Sequence, residues 1–119
     1  MSISRIARVI KRWADRFVRR VYTADEARTC NHRATPASSF ALRFAAKEAF
    51  SKALGLGMTE GVRWRDIEVI HDPGGRPGLR LHGVSSKICQ DRGITSIHLS
   101  LSDEGEYATA TVILEKDER

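Results

Sequence analysis

Arg43-Phe44-Ala45-Ala46-Lys47-Glu48-Ala49-Phe50-Ser51-Lys52-Ala53-Leu54-Gly55 contains no proline, and no glycine before Gly55, so it reads as a helix ended by a left-handed glycine. On a helical projection Phe40, Phe44, Phe50 and Leu54 share one sector, while Ala41, Ala45, Ala46, Ala49 and Ala53 fill most of the remainder. A helix with no wide polar face is packed on most of its circumference. Arg43, Lys47, Glu48 and Lys52 are therefore expected in grooves or at the edge of a cleft. Arg43 and Lys47 lie one turn apart on one flank, and Glu48 and Lys52 one turn apart on another. Charges so close to a core need partners. An i,i+4 pair between Glu48 and Lys52, contributing about 0.3–0.5 kcal/mol, meets that need, and so does a bound metal with an anion; spacing alone leaves both open.

Working outward, the chain has 119 residues, enough for one domain with a modest core and not two. The net charge of +5 is concentrated near the amino end, where Arg5, Arg8, Lys11, Arg12, Arg16, Arg19 and Arg20 face only Asp15. Such a patch attracts a polyanion, whether nucleic acid, a membrane surface, an acidic protein or a phosphorylated ligand. Against nucleic acid, few aromatics accompany the basic stretch and no docking motif is present. Cys30 and Cys89 have no metal-ligand spacing and are expected to be reduced thiols. No apolar run reaches the length of a membrane span or resembles a cleavable leader, which points to the cytoplasm.

Ile3, Ile6, Ile10, Trp13 and Phe17 recur at spacings of three and four, which predicts an amphipathic helix with Trp13 and Phe17 packed on the domain. Thr23 followed by Glu26 is a capping-box pattern for a short helix running towards Cys30. Asn31 to Ser39, with Pro36, reads as a loop leading into the central helix. Ile67–Ile70 and Leu79–Leu81 read as a hairpin across His71–Pro77, and Val84–Arg92 as a helix stopped by Gly93. Ser96–Ser102 and Tyr107–Leu114 read as antiparallel strands across Asp103–Glu106. The expected fold is α+β: one antiparallel sheet packed on the long central helix, with the basic first helix outside.

Phe44-Ala45-Ala46-Lys47-Glu48-Ala49-Phe50-Ser51-Lys52-Ala53, preceded by Arg43, closely resembles the signature of the holo-acyl-carrier-protein synthases, the small bacterial 4'-phosphopantetheinyl transferases. Further blocks similar to that family follow in its order: Trp64-x-Asp66-Ile67-Glu68-Val69, Gly75-x-Pro77, His98-Leu99-Ser100-Leu101-Ser102 and Glu106-Tyr107-Ala108. The resemblance implies a single 4'-phosphopantetheinyl transferase domain over residues 1–119. It also implies transfer of phosphopantetheine from coenzyme A to a serine of apo acyl carrier protein, in support of fatty acid biosynthesis, with adenosine 3',5'-bisphosphate as second product. Mg²⁺ is the implied cofactor, and family members are trimers with sites between subunits.

Carried over residue by residue, Glu48 is implied as the Mg²⁺ ligand and Lys52 as the diphosphate contact, the pair forming the catalytic set. Arg43, Lys47, Ser51, Lys52, Arg76, Pro77 and His98 are implied as coenzyme A contacts. Displacement at a diphosphate phosphorus depends on in-line placement and on neutralising oxygen charge, for which a carboxylate-anchored Mg²⁺ and a lysine are suitable. Arg5, with Arg8 or Arg12, offers a basic face to an acidic carrier helix. The family opens on a Gly-x-Gly-x-Asp strand whose aspartate is a second metal carboxylate; Ser2–Ile6 matches only the tail of that segment. The expectation is therefore a missing strand, Glu48 without its companion, and weak activity of the 119 residues as written. The alternative function is a non-catalytic relative, or basic module, that docks the carrier protein without transfer.

Overall fold

The computed structural model describes residues 1–116. Helix α1 runs Ile3–Val21 and α2 Ala24–Asn31, and the central helix α3 spans Pro36–Leu54. After a 3-10 turn at Trp64–Asp66 come strands β1 (Ile67–His71) and β2 (Pro77–Leu81), helix α4 (Gly83–Asp91), and strands β3 (Ile94–Glu104) and β4 (Tyr107–Lys116).

The central helix starts four residues earlier than the expected loop allows. Pro36 occupies its first turn, where a missing N–H removes no helical bond and the fixed φ is already helical. At the other end Gly55 takes φ 79°, and its N–H bonds back to Lys52 and Ser51 carbonyls, as the glycine predicted. The capping box of α2 forms in full: the Thr23 hydroxyl accepts from the Glu26 N–H at 3.1 Å, and the Glu26 carboxylate accepts from the Thr23 N–H at 2.9 Å.

Two hydrophobic clusters share α3 as their common wall. One gathers Ile6, Val21, Tyr22, Cys30, Phe40, Ala41 and Ala108, and the other Phe50, Leu54, Val62, Ile67 and Cys89. Each buried phenylalanine contributes about 1.5–3 kcal/mol of transfer free energy. Phe40 and Phe50 thus hold opposite ends of one helix to different parts of the chain. Ala41, Ala45 and Ala46, all buried, add little bulk and let neighbouring backbones approach closely.

The strands do not form the single sheet expected. Among the described residues β1 pairs only with β2, in the register Ile67↔Leu81 to His71↔Pro77, and β3 pairs only with β4, from Ile94↔Lys116 to Glu104↔Tyr107. Helix α4 fills the connection between β2 and β3, so those strands approach without a ladder. On β3 and β4, Ile97, Leu99, Leu101, Ala110, Val112 and Leu114 are partly buried, while His98, Ser100, Ser102, Thr109, Thr111 and Ile113 are exposed on the opposite face. Met1 and Ala108 exchange hydrogen bonds of 2.9 and 2.8 Å, and Ser2 bridges Tyr107, which ties the start of α1 to β4.

Helix α1 departs from a single stripe. Ala14 sits at φ 45°, ψ −125° and breaks the helical phase, so the apolar residues before and after it do not lie in one line. Ile6 is buried and Phe17 packs against the core, but Trp13 is 47% exposed, with the Arg12 and Arg16 guanidiniums 5.2 and 5.9 Å from its ring centre. The packing expected of Trp13 is thus corrected. A side chain at such a φ carries strain of about 1–3 kcal/mol that glycine does not. Ala14→Gly is expected to raise stability by about 1 kcal/mol, read as a higher urea midpoint at unchanged slope.

Candidate active site on the rim of the central helix

The four charges of α3 meet different fates. Lys47 is fully buried, and its Nζ donates to Glu26 Oε1 at 2.8 Å, to the Ile67 carbonyl at 2.5 Å and to the Trp64 carbonyl at 3.1 Å. All three N–H bonds are engaged inside the fold. Burial lowers the Lys47 pKa, and Glu26 opposes that shift. Glu26 also accepts from the Val69 N–H at 3.0 Å, so this one pair ties α2, α3, the 3-10 turn and β1 together. The coenzyme A contact expected of Lys47 is corrected accordingly: the ammonium is an internal cross-link. Ser51 is likewise buried, its hydroxyl donating to the Glu48 carbonyl at 2.9 Å, and it presents no free donor to a ligand.

Glu48 and Lys52 occupy the part of α3 that the packing leaves open. Glu48 is half-buried and Lys52 exposed, with Ala49 and Ala53 beside them supplying no bulk. Among the described residues neither makes an ion pair, so the i,i+4 pair that spacing allowed is not formed. A carboxylate and an ammonium one turn apart, both unpartnered beside a packed helix, are placed to take a cation and an anion. Mg²⁺ is commonly held by one or two carboxylates, with phosphate oxygens and water completing its shell, and Glu48 suits that use. Among the described residues no cluster of three or more histidine, cysteine or acidic side chains is present.

Arg43 is buried on the other flank. Its Nη1 donates to the Ser39 hydroxyl at 2.6 Å, and its Nε has no hydrogen-bond partner among the described residues. Two concavities of about 330 and 180 Å³ meet here, and both are lined by Arg33, Arg43 and His71. Sequence reasoning missed Arg33 and His71, which stand ten residues before and twenty-eight after Arg43 and share no motif with it. Partial burial, then repulsion from Arg43 and Arg33, hold the His71 pKa below the ordinary histidine value. The folded state therefore favours neutral His71, and that increment of stability is lost as pH falls through the folded pKa. An anion in the cluster reverses the preference. Sulfate, whose charge is constant there, is expected to bind several-fold tighter as pH falls below about 6.5, and His71→Gln to abolish the pH dependence, as read by calorimetry.

Behind this cavity Glu68 accepts from the Thr23 hydroxyl at 2.8 Å and meets His82 Nε2 at 3.0 Å, with Arg80 at 3.9 Å. Burial alone raises its pKa, but the hydrogen bonds from His82 and Thr23 and the charges of His82 and Arg80 bring it below the usual carboxylate value.

The remaining expected residues are scattered. Arg76 is exposed in the β1–β2 turn, where its N–H donates to the Asp72 carboxylate at 2.9 Å, and Pro77 opens β2 opposite His71. His98 lies on the exposed face of β3 paired with Glu115, away from the face that packs inward with α3. A single copy does not bring His98 to Glu48. Arg5, Arg8 and Arg12 are exposed along the first half of α1, and among the described residues no helix is long and apolar enough to cross a membrane.

With this geometry in place, the family model of the 4'-phosphopantetheinyl transferase superfamily matches residues 1–112. The holo-(acyl-carrier-protein) synthase of Koribacter versatilis is 48% identical over 115 residues, covering 97% of this chain and 92% of that protein. The Geobacter sulfurreducens protein of the same name is 42% identical over 116 residues, covering 98% of this chain and 92% of its relative. Among solved structures, the Neisseria meningitidis holo-(acyl-carrier-protein) synthase superposes with a TM-score of 0.90 at 37% identity, covering 98% and 93% of the two chains. The Helicobacter pylori enzyme, solved in complex with coenzyme A, gives 0.85 at 31% identity, covering 97% and 95%. The chain belongs to the holo-acyl-carrier-protein synthase family of 4'-phosphopantetheinyl transferases.

Proposed function

We propose that this chain is the enzyme that transfers 4'-phosphopantetheine from coenzyme A to a serine hydroxyl of apo acyl carrier protein, releasing adenosine 3',5'-bisphosphate. The observation that carries this reading is the unpartnered Glu48–Lys52 pair on the open rim of α3, in a chain of this family. Lys52 faces the diphosphate and balances charge on its oxygens, and the rigid α3 keeps it in place without reorganisation. Glu48 would hold Mg²⁺, which when bound supplies further charge neutralisation at the diphosphate. Arg33 and Arg43, in a pocket that Asp25, Glu26 and Glu68 also line, offer guanidiniums to another phosphate of the same co-substrate.

His98, Arg76 and Pro77 are assigned to coenzyme A as well. The placement of His98 on the sheet face away from α3 favours a homotrimer in which one copy supplies Glu48 and Lys52 and its neighbour supplies His98. Arg5, Arg8 and Arg12, exposed and with no ion pair among the described residues, suit an acidic helix of the carrier protein. The free thiols of Cys30 and Cys89 accord with a reducing cytoplasm, where the holo carrier would serve fatty acid biosynthesis. Incubation with coenzyme A, Mg²⁺ and apo carrier protein is expected to add one phosphopantetheine to the carrier, weighed by mass spectrometry. A carrier whose mass never changes, but which still binds, would leave docking as the function.

A further inference from the structure

A further concavity, of about 400 Å³, is lined by Arg20, Thr23, Arg63, Arg65, Asp66 and His82. It forms where four elements meet: Arg20 comes from the last turn of α1, Thr23 is the N-cap of α2, Arg63 caps the 3-10 turn that holds Arg65 and Asp66, and His82 is the N-cap of α4. Arg20, Arg63 and Arg65 make no ion pair among the described residues. Three guanidiniums around one hollow repel one another, and an anion between them removes that cost. Thr23 and His82, the N-cap residues of two helices, line the same hollow; α4 has neither an acid in its first turn nor a side-chain cap, whereas α2 carries Asp25 and Glu26 in its first turn and is capped by Thr23, so the guanidiniums are the source of positive potential here. Asp66 is the one acid in the lining. It lies so close to Gly83 that a Cβ there would stand 2.7 Å from its Oδ2, so its charge sits at the start of α4.

We propose that this hollow is a second anion site, separate from the Arg33–Arg43–His71 pocket, that takes the phosphate group of a small ligand. Planar guanidiniums match the oxygens of a phosphate two at a time, and a concave wall suits a compact tetrahedral anion. The two pockets are divided by the hydrogen bonds from Thr23 and His82 to Glu68, whose carboxylate lines the first pocket while Thr23 and His82 line the second. Each pocket therefore has its own histidine reporter. The site does not depend on the transfer reaction.

The test is titration of the whole protein with inorganic phosphate, at fixed pH and ionic strength, following the assigned ring signals of His71 and His82 by NMR. Saturable movement of His82 is expected, weakened tenfold or more in Arg63→Ala/Arg65→Ala while the His71 response is retained. Arg33→Ala is expected to do the opposite. Both variants replace exposed side chains, so the fold is retained. ADP in place of phosphate identifies the source: equal affinity supports free phosphate, and tighter binding supports a nucleotide phosphate. The site is overturned if His82 stays still, if chloride moves it equally, if the double variant responds like wild type, or if only an acidic protein moves it. Failure of the proposed transfer would show at the carrier's mass and leave the His82 titration unaffected.

Discussion

Glu48→Gln is expected to lower phosphopantetheine transfer by about two orders of magnitude or more, the range seen when one group that offsets reaction charge is removed. The thermal midpoint should stay within about two degrees of wild type, because surface changes that break no contact usually cost under ~0.5 kcal/mol. Glu48 is half-buried and makes no ion pair among the described residues, so neutralising it breaks nothing inside the fold. The variant should also lose much of its response to Mg²⁺, measured as the concentration giving half-maximal rate. Unchanged rate and unchanged Mg²⁺ dependence would remove Glu48 from the reaction altogether.

Lys47→Met, one residue away, is expected to do the reverse. Removing the ammonium strands the Glu26 carboxylate in a site with no exposed surface, and breaking a buried pair in this way costs about 3–5 kcal/mol. For a domain of this size that is a fall of ~10 °C or more in Tm, with the Ile67 and Trp64 carbonyls also losing their donor. Adding Glu26→Gln should recover part of the loss, since the buried charge is gone, but only part, because one amide oxygen cannot serve the Thr23 and Val69 N–H groups as two carboxylate oxygens do. Were Lys47 a coenzyme A contact instead, the single variant would raise KM for coenzyme A and leave the urea midpoint in place.

Neighbours in sequence thus carry opposite assignments, and their placement explains why only one was legible. The alternation of phenylalanine and alanine announced a helix packed nearly all round, and Gly55 announced its end. It did not say which charges lay inside. Lys47 became internal because Glu26 and two backbone carbonyls, twenty-one residues before it and seventeen and twenty after, meet at its tip. In the same way, Trp13 looked like core until the break at Ala14 interrupted the phase on which the stripe depended.

By itself, the sequence determined the helices, hairpins and turns to within a few residues, along with the acid and base of the α3 motif. Those features depend on short-range periodicity, capping and glycine conformations that neighbouring residues settle between them. Only the tertiary structure decided that Lys47 and Ser51 are internal, that the strands divide into two ribbons, that His98 faces away from α3, and that Arg33 and His71 join Arg43. Each of those outcomes depends on groups far apart along the chain, whose charges and backbone bonds find partners only after the core has closed.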